Sequence, residues 1–184
     1  MVRALIVSID RFSQRVGHAV SWLTLAMVLV TGVVVVLRYF FQSGWIWLQE
    51  LITWMHAMVF LLGAAYTLSV DEHVRVDVLY RQMSARSQAL VNLLGTVLLL
   101  FPTCGFVLWA GWDYVVSAWQ VKEASREAGG LPYPFVPLLK SAMLALGALL
   151  IVQGLGLLLR SVLTLVGPAD RVPPPAAASH RPMA

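Results

Sequence analysis

The pattern of hydrophobic and polar positions divides this chain into long apolar stretches separated by short polar segments. Residues 16–37, 51–70, 87–112 and 141–159 contain no Asp, Glu, Lys or Arg. A helix rises about 1.5 Å per residue, so each stretch is long enough to cross roughly 30 Å of hydrocarbon. Core helices of soluble proteins rarely run so far without a charge, which disfavours a soluble fold.

Composition points to the same class of protein. Of the 184 residues, 59% are hydrophobic and 12% are charged, whereas a soluble domain carries about 25% charged residues. We therefore predict an all-α integral membrane protein with four transmembrane helices in an up-down bundle, at about 16–37, 51–70, 87–112 and 137–160. The fourth span begins before Lys140, whose ammonium group is predicted to snorkel to the membrane interface.

Both ends of the chain are predicted to lie outside this transmembrane domain, which covers residues 16–166. Residues 1–15 are predicted to form a short amphipathic lead-in, with Leu5 and Phe12 on its apolar side and Asp10 on its polar side. No small-x-small cleavage site follows the first apolar stretch, so we interpret it as a retained anchor. Residues 167–184 are rich in Pro and Ala, and we predict a disordered cytoplasmic tail there.

The distribution of basic residues predicts the orientation. Nine of the 13 Lys and Arg residues would share one side of a four-span protein: Arg3, Arg11, Arg15, Arg75, Arg81, Arg86, Arg160, Arg171 and Arg181. The other side receives Arg38, Lys122, Arg126 and Lys140. Both termini are therefore predicted to be cytoplasmic. Since the basic residues form no single patch, no nucleic-acid partner is expected.

A charged connector, DEHVRVDVLYRQMSAR, joins the second and third spans at residues 71–86. Its apolar and charged residues are mixed, which favours a segment lying at the membrane interface or packed under the bundle. A solvated loop is the alternative. The acids and bases nearly balance, which makes an anionic-lipid anchor less favourable than packing against protein.

Small and polar residues form stripes on two of the predicted helices. In the first span Gly17, Ser21, Thr24 and Thr31 recur at helical spacing, and such stripes allow close helix contacts in a membrane. The second span carries a stripe of four polar or small residues with Phe60 between them: Thr53, His56, Gly63 and Thr67. In the third span Pro102 is expected to bend the helix.

Little in the sequence suggests catalysis, since it has no phosphate-binding glycine loop, nucleophile elbow or paired carboxylates within a span. His56 is the clear intramembrane ionisable residue. It is either a neutral side chain hydrogen-bonded to a neighbouring helix or a proton or metal site, and the latter needs a second polar partner. His18, His56 and His73 also leave open a haem-binding membrane redox subunit. A stand-alone channel or small exporter is a third possibility.

The order of short motifs around the four spans resembles one family, the small membrane subunit (Q subunit) of tripartite ATP-independent periplasmic (TRAP) transporters. The resemblance covers roughly residues 17–162. Its motifs are Arg38-Tyr39, WLQE at 47–50, FLLGAA at 60–65, HVRVDVL at 73–79, EASRE at 123–127, GGLP at 129–132, Lys140 and Gln153-Gly154. One departure is Gln49, because the outer acidic motif of the family often has adjacent acids.

The resemblance implies a non-catalytic subunit in the bacterial inner membrane. It implies that the chain packs on the static scaffold of a large membrane subunit and helps to dock a periplasmic substrate-binding protein. The large subunit would bind the sodium and the substrate, usually an organic acid, so no cofactor is expected in this chain. Membrane lipids are further expected partners.

The same resemblance suggests roles for particular residues. Five residues of the two outer loops are expected to face the docked protein or brace its platform: Arg38, Glu50, Glu123, Ser125 and Glu127. Arg38 and Glu50 either pair with each other, pair with another subunit or stay exposed. In the connector, His73 and Asp77 are expected to fix the segment against the bundle or the large subunit. Lys140 is expected to hold a lipid headgroup or an acidic neighbour.

Overall fold

Four long helices make up the fold in the computed structural model, which describes residues 2–70, 80 and 82–166. They are α1 (Val2–Phe40), α2 (Ile46–Ser69), α3 (Ala85–Gln120) and α4 (Phe135–Val166). Each is long and apolar enough to cross a membrane, and the described ranges contain no strand. The predicted all-α class and the four spans are confirmed. The cytoplasmic placement of the termini stays a prediction.

The predicted lead-in and first span form one continuous helix, α1, of 39 residues. Its buried positions recur every three or four residues, which places them on one face: Ile6, Asp10, Ser13, Gly17 and Val20. The assignment of sides in the lead-in was therefore wrong, because Asp10 is buried while Leu5 and Phe12 are about half exposed. Nothing in α1 beyond Val20 is buried, so of the small-residue stripe only Gly17 is enclosed.

The third helix is interrupted by a π-helical turn at Thr96–Leu100, which ends two residues before Pro102. A proline removes one backbone donor and crowds the carbonyl four residues earlier. The wider π turn relieves that crowding, so the helix continues to Gln120. Its start is capped by Ser84, whose hydroxyl oxygen accepts a hydrogen bond from the Ser87 amide at 3.3 Å.

Helix α4 is the centre of the bundle, because it packs against α1, α2 and α3. Close approach depends on its glycines. A Cβ atom on Gly154 would lie 2.6 Å from Leu100 Cδ2, and one on Gly111 of α3 would lie 2.7 Å from Met143 Cε. Without a hydrophobic driving force between helices in lipid, such small residues allow the dispersion contacts that hold a membrane bundle together.

The helices leave two distinct ends. The end formed by residues 41–45 and 121–134, between α1 and α2 and between α3 and α4, is called here the two-loop end. The opposite end carries the connector between α2 and α3. Residues 71–79 and 81 of that connector, with His73 and Asp77, lie outside the described residues, as does the tail 167–184.

Candidate functional site

At the two-loop end a single carboxylate joins the start of α2 to the loop between α3 and α4. Glu50 lies in the first turn and a half of α2 and is half-buried. Its Oε1 accepts a hydrogen bond from the Ser125 hydroxyl at 2.6 Å, and its Oε2 accepts one from the Leu131 amide at 2.6 Å. Hydrogen bonds to an ionised acceptor are the stronger kind, so this bridge fixes the second loop on α2.

The second loop, residues 121–134, is folded back on itself around the same point. The Ser125 amide donates to the Leu131 carbonyl at 3.0 Å, and the Glu127 amide donates to the Ser125 hydroxyl oxygen at 3.2 Å. The Gly129 carbonyl accepts a hydrogen bond from the Trp47 amide at 3.1 Å, which adds a backbone link to α2.

The paired glycines of this loop have separate physical roles. Gly129 has a φ of +79°, a conformation that side chains with a Cβ rarely adopt. Gly130 has no such constraint, but a Cβ there would lie 2.7 Å from Glu50 Oε2 and would also overlap Ser125. The second glycine therefore makes room for the carboxylate bridge.

A second ion pair holds the other side of the loop to α4. Lys140 Nζ donates to Glu123 Oε2 at 2.6 Å and lies 3.7 Å from the centre of the Tyr114 ring. The ammonium group is thus held by a carboxylate and an aromatic face together. Of the two partners expected for Lys140, the structure shows an acidic neighbour, and that neighbour belongs to this chain.

Two tryptophans tie the helices to each other near this end. Trp54 Nε1 donates to the Phe135 carbonyl at 2.8 Å, which joins α2 to the start of α4. Trp119 Nε1 donates to the Ser141 hydroxyl at 2.9 Å, which joins α3 to α4. Their indoles are amphipathic and suit the interfacial depth where helices leave the membrane.

The remaining predicted residues of this end are free to meet a partner. The Arg38 side chain is exposed in the last turn of α1 and makes no hydrogen bond or ion pair with the other described residues. Glu127 is also exposed. Glu50 does not pair with Arg38, because its oxygens face Ser125 and Leu131. The five predicted residues therefore divide into three that brace the second loop (Glu50, Glu123 and Ser125) and two that are exposed, Arg38 at the end of α1 and Glu127 in the loop.

Two open cavities flank the braced loop. One, of about 500 Å³, is lined by Gln49, Glu50 and Thr53 of α2 together with loop residues that include Glu127. The other, of about 570 Å³, is lined by Tyr114, Glu123, Arg126 and Lys140 among others. Ser125 of the loop lines both, so the two cavities adjoin at this residue.

The histidines do not come together in the described part of the chain. His18 Nδ1 lies 2.8 Å from the Gln14 carbonyl oxygen. The centres of the His18 and Tyr66 rings are 6.0 Å apart in an edge-to-face arrangement. His56 is ten residues from Tyr66 on α2, about 15 Å along the helix axis. Residues 2–70, 80 and 82–166 contain no group of three metal-ligating side chains. Because His73 lies outside these residues, the haem alternative is untested.

The opposite end contains a buried polar network that the sequence analysis missed. Asp10 accepts hydrogen bonds from Arg160 Nη2 and from Gln153 Nε2, the latter at 3.0 Å, and the Ser13 hydroxyl donates to Gln153 Oε1 at 2.8 Å. One signal could have revealed it. Asp10 and Ser13 lie between Ile6 and Gly17 at steps of three or four residues. This spacing places them on one helix face with small and apolar residues.

Comparison with known proteins gives one family match. The family model described as "Tripartite ATP-independent periplasmic transporters, DctQ component" matches residues 27–164. The match covers most of the chain, including both loops of the two-loop end. Neither the comparison with curated proteins nor that with solved structures gave a match.

Proposed function

Because this chain belongs to the DctQ family, the small membrane component of tripartite ATP-independent periplasmic transporters, we propose that its two-loop end helps to dock the periplasmic substrate-binding protein. The family is one of non-catalytic transporter subunits, and the chain is a multi-pass membrane protein. Docking at this end requires it to face the periplasm, as the distribution of basic residues predicts.

The proposal assigns transport itself to a partner. The chain packs on the static scaffold of the large membrane subunit, which carries the substrate, an organic acid or related solute, together with sodium. Four helices are too few for the inverted repeats of a typical secondary transporter. The charged residues described in the two-loop end lie at helix ends and in loops, which suits a docking surface better than a transport pathway.

The Glu50 bridge is the observation that carries the docking role. A binding surface made of two loops keeps its shape only if the loops are fixed relative to each other, since ordering them on binding would cost affinity. Glu50 fixes the second loop through both of its oxygens. The exposed Arg38 and Glu127 then offer charges of both signs to the docked protein, and such charges favour orientation and rapid association.

The test is Glu50→Lys, which removes the acceptor of both hydrogen bonds and puts in its place an ammonium group that cannot accept from the Leu131 amide. We expect the complex with the large subunit to form normally, while uptake falls at least tenfold and the binding protein binds more weakly. Reconstituted uptake and binding of the labelled binding protein to the purified membrane complex measure the two effects. Asp113→Lys is the matched control, because it makes the same change of charge at an exposed residue of α3 outside both loops.

Normal uptake with the Glu50→Lys protein would exclude the docking role of this end. Unchanged uptake in membranes that lack the whole chain would exclude the broader proposal that it is an obligatory subunit.

A further inference from the structure

One face of α2 points away from the rest of the bundle and carries, within the charge-free stretch 51–70, a histidine whose side chain has no hydrogen-bond partner among the described residues. Resting on the proposed function, we infer that this face packs against a transmembrane helix of the large membrane subunit. We further infer that this helix supplies a hydrogen-bonding group to His56. The partner-facing face is defined by six residues: Gln49, Thr53, His56, Phe60, Gly63 and Thr67.

The two sides of α2 are well separated. Successive residues of an α-helix turn by about 100°, so the buried residues Leu48, Met55, Ala65 and Ser69 fall on one side. The partner-facing face lies on the opposite side, centred about 150° away. Gln49, Thr53, His56 and Phe60 are all exposed there, and Phe60 is 72% exposed.

Depth distinguishes His56 from its polar neighbours. It lies five residues inside the charge-free stretch 51–70 of α2, about 8 Å below the start of that stretch and within a hydrocarbon layer of roughly 30 Å, whereas Gln49 lies before the stretch begins. An exposed imidazole there has hydrogen-bonding groups that lipid tails cannot satisfy.

The hydroxyl groups of both threonines of this face have local partners. The Thr53 hydroxyl donates to the Gln49 carbonyl at 3.3 Å, and the Thr67 hydroxyl donates to the Ala64 carbonyl at 2.8 Å. The His56 side chain makes no hydrogen bond or ion pair with the described residues. The Gln49 side-chain amide also has no partner among the described residues, but it lies at the outer end of the face beside an open cavity. Within the charge-free stretch, the unsatisfied hydrogen-bonding capacity of the face is therefore concentrated at His56, and a polar side chain or backbone group of another protein is what satisfies it.

The shape of the face suits a second helix. Gly63 has nothing within 4 Å of the position of a Cβ, and the projecting ring of Phe60 lies one turn away. A notch next to a projecting side chain allows a neighbouring helix to approach closely and interlock. At its outer end the face joins the cavity lined by Gln49 and Thr53, so the proposed packing surface continues into the proposed docking surface.

Photo-crosslinking in the native membrane tests the assignment. A benzophenone amino acid replaces Phe60 in one variant and Phe106 of α3 in the other. The pair is matched, because both are exposed phenylalanines, at 72% and 63%, and each lies 14 residues from the two-loop end of its helix. We expect the position-60 probe to form a crosslink to the large subunit at least tenfold more abundant than that of the position-106 probe.

The outcomes separate this inference from the proposed function. A large membrane protein that co-purifies but crosslinks no better from position 60 than from position 106 would overturn the face assignment alone. A crosslink from position 60 to a second copy of this chain would also overturn it, since the face would then be a homodimer contact. The absence of any co-purifying large subunit would overturn both proposals.

Substitution of His56 gives an independent readout. An interhelical hydrogen bond in a membrane is worth about 0.6 kcal/mol on average, a factor of about three in an equilibrium constant. We expect His56→Leu to reduce recovery of the complex in mild detergent about threefold, and His56→Gln, which keeps a donor and an acceptor, to restore it. Equal recovery from both variants and the unaltered protein would contradict the proposed hydrogen bond.

Discussion

Both ends of the bundle use a carboxylate to join segments far apart in the chain, but the surroundings of the two carboxylates differ. Asp10 joins α1 to α4 across a sequence separation of 150 residues, and both it and Arg160 are almost fully enclosed. Glu50 joins α2 to the second loop across 75 and 81 residues and is only half-buried. One network holds helices together, and the other holds a surface in shape.

The difference in burial decides what each network contributes. A charge removed from water is costly, so an enclosed ion pair is strongly interdependent, and losing one partner leaves the other uncompensated. Near water, solvent stabilises the charge that remains when one partner is lost. Salt also weakens the attraction within an intact pair there. The Asp10 network should therefore govern stability of the fold, while the Glu50 bridge should govern function at the surface with a smaller effect on stability.

The largest effect is expected from Asp10→Asn, which keeps the shape of the side chain but removes its charge. Arg160 then lies in an enclosed site with no counterion. We expect a loss of about 3–5 kcal/mol in the free energy of unfolding, measured by denaturant titration in detergent. Asp113→Asn is the control for removing an exposed acid, with an expected change within about 0.5 kcal/mol.

A double variant sharpens the same comparison. Replacing Asp10 with Leu and Arg160 with Met removes both charges and keeps apolar volume, which should restore part of the lost stability because no unpaired charge remains. Recovery should be incomplete, because the buried Gln153 Nε2 loses its acceptor. If Asp10→Asn alone left stability unchanged, the ion pair would not be the element that joins α1 to α4.

The contrast between the two ends also explains how much the sequence could predict. The four helices were predictable because long charge-free stretches have few alternatives to spanning a bilayer. Glu50 and Ser125 were named as residues of one end, but the hydrogen bonds between them depend on how the loop folds. Asp10 was assigned to the polar side of α1, because local periodicity does not show that a buried partner such as Arg160 arrives from the far end of the chain.

An intermediate effect is expected from Gly130→Ala, which tests whether the Glu50 bridge needs an open position beside it. The added Cβ would lie 2.7 Å from Glu50 Oε2, so the carboxylate or the loop has to move. Overpacking of this kind costs about 1–3 kcal/mol, so hydrogen exchange at the Leu131 amide should accelerate at least about fivefold. Gly44→Ala is the control, because nothing lies within 4 Å of its Cβ position and its φ is not positive. Equal exchange rates in the two variants would show that the bridge tolerates a side chain there.

The smallest effect is expected from Lys140→Met, which removes the charge that joins α4 to the second loop but keeps much of the side-chain volume. The partner that this change leaves unpaired, Glu123, has a side chain that is 24% exposed, whereas Arg160, the partner left by Asp10→Asn, is 11% exposed. The methionine side chain can still contact the Tyr114 ring, and water can reach Glu123. We therefore expect a loss of about 0.2–1 kcal/mol in the free energy of unfolding. The difference in free energy of unfolding between this variant and the unaltered protein should shrink as salt is raised from about 0.05 to about 0.5 M, because screening becomes effective over roughly this range. A loss as large as that of Asp10→Asn, independent of salt, would place this pair with the buried network and would remove the distinction between the two ends.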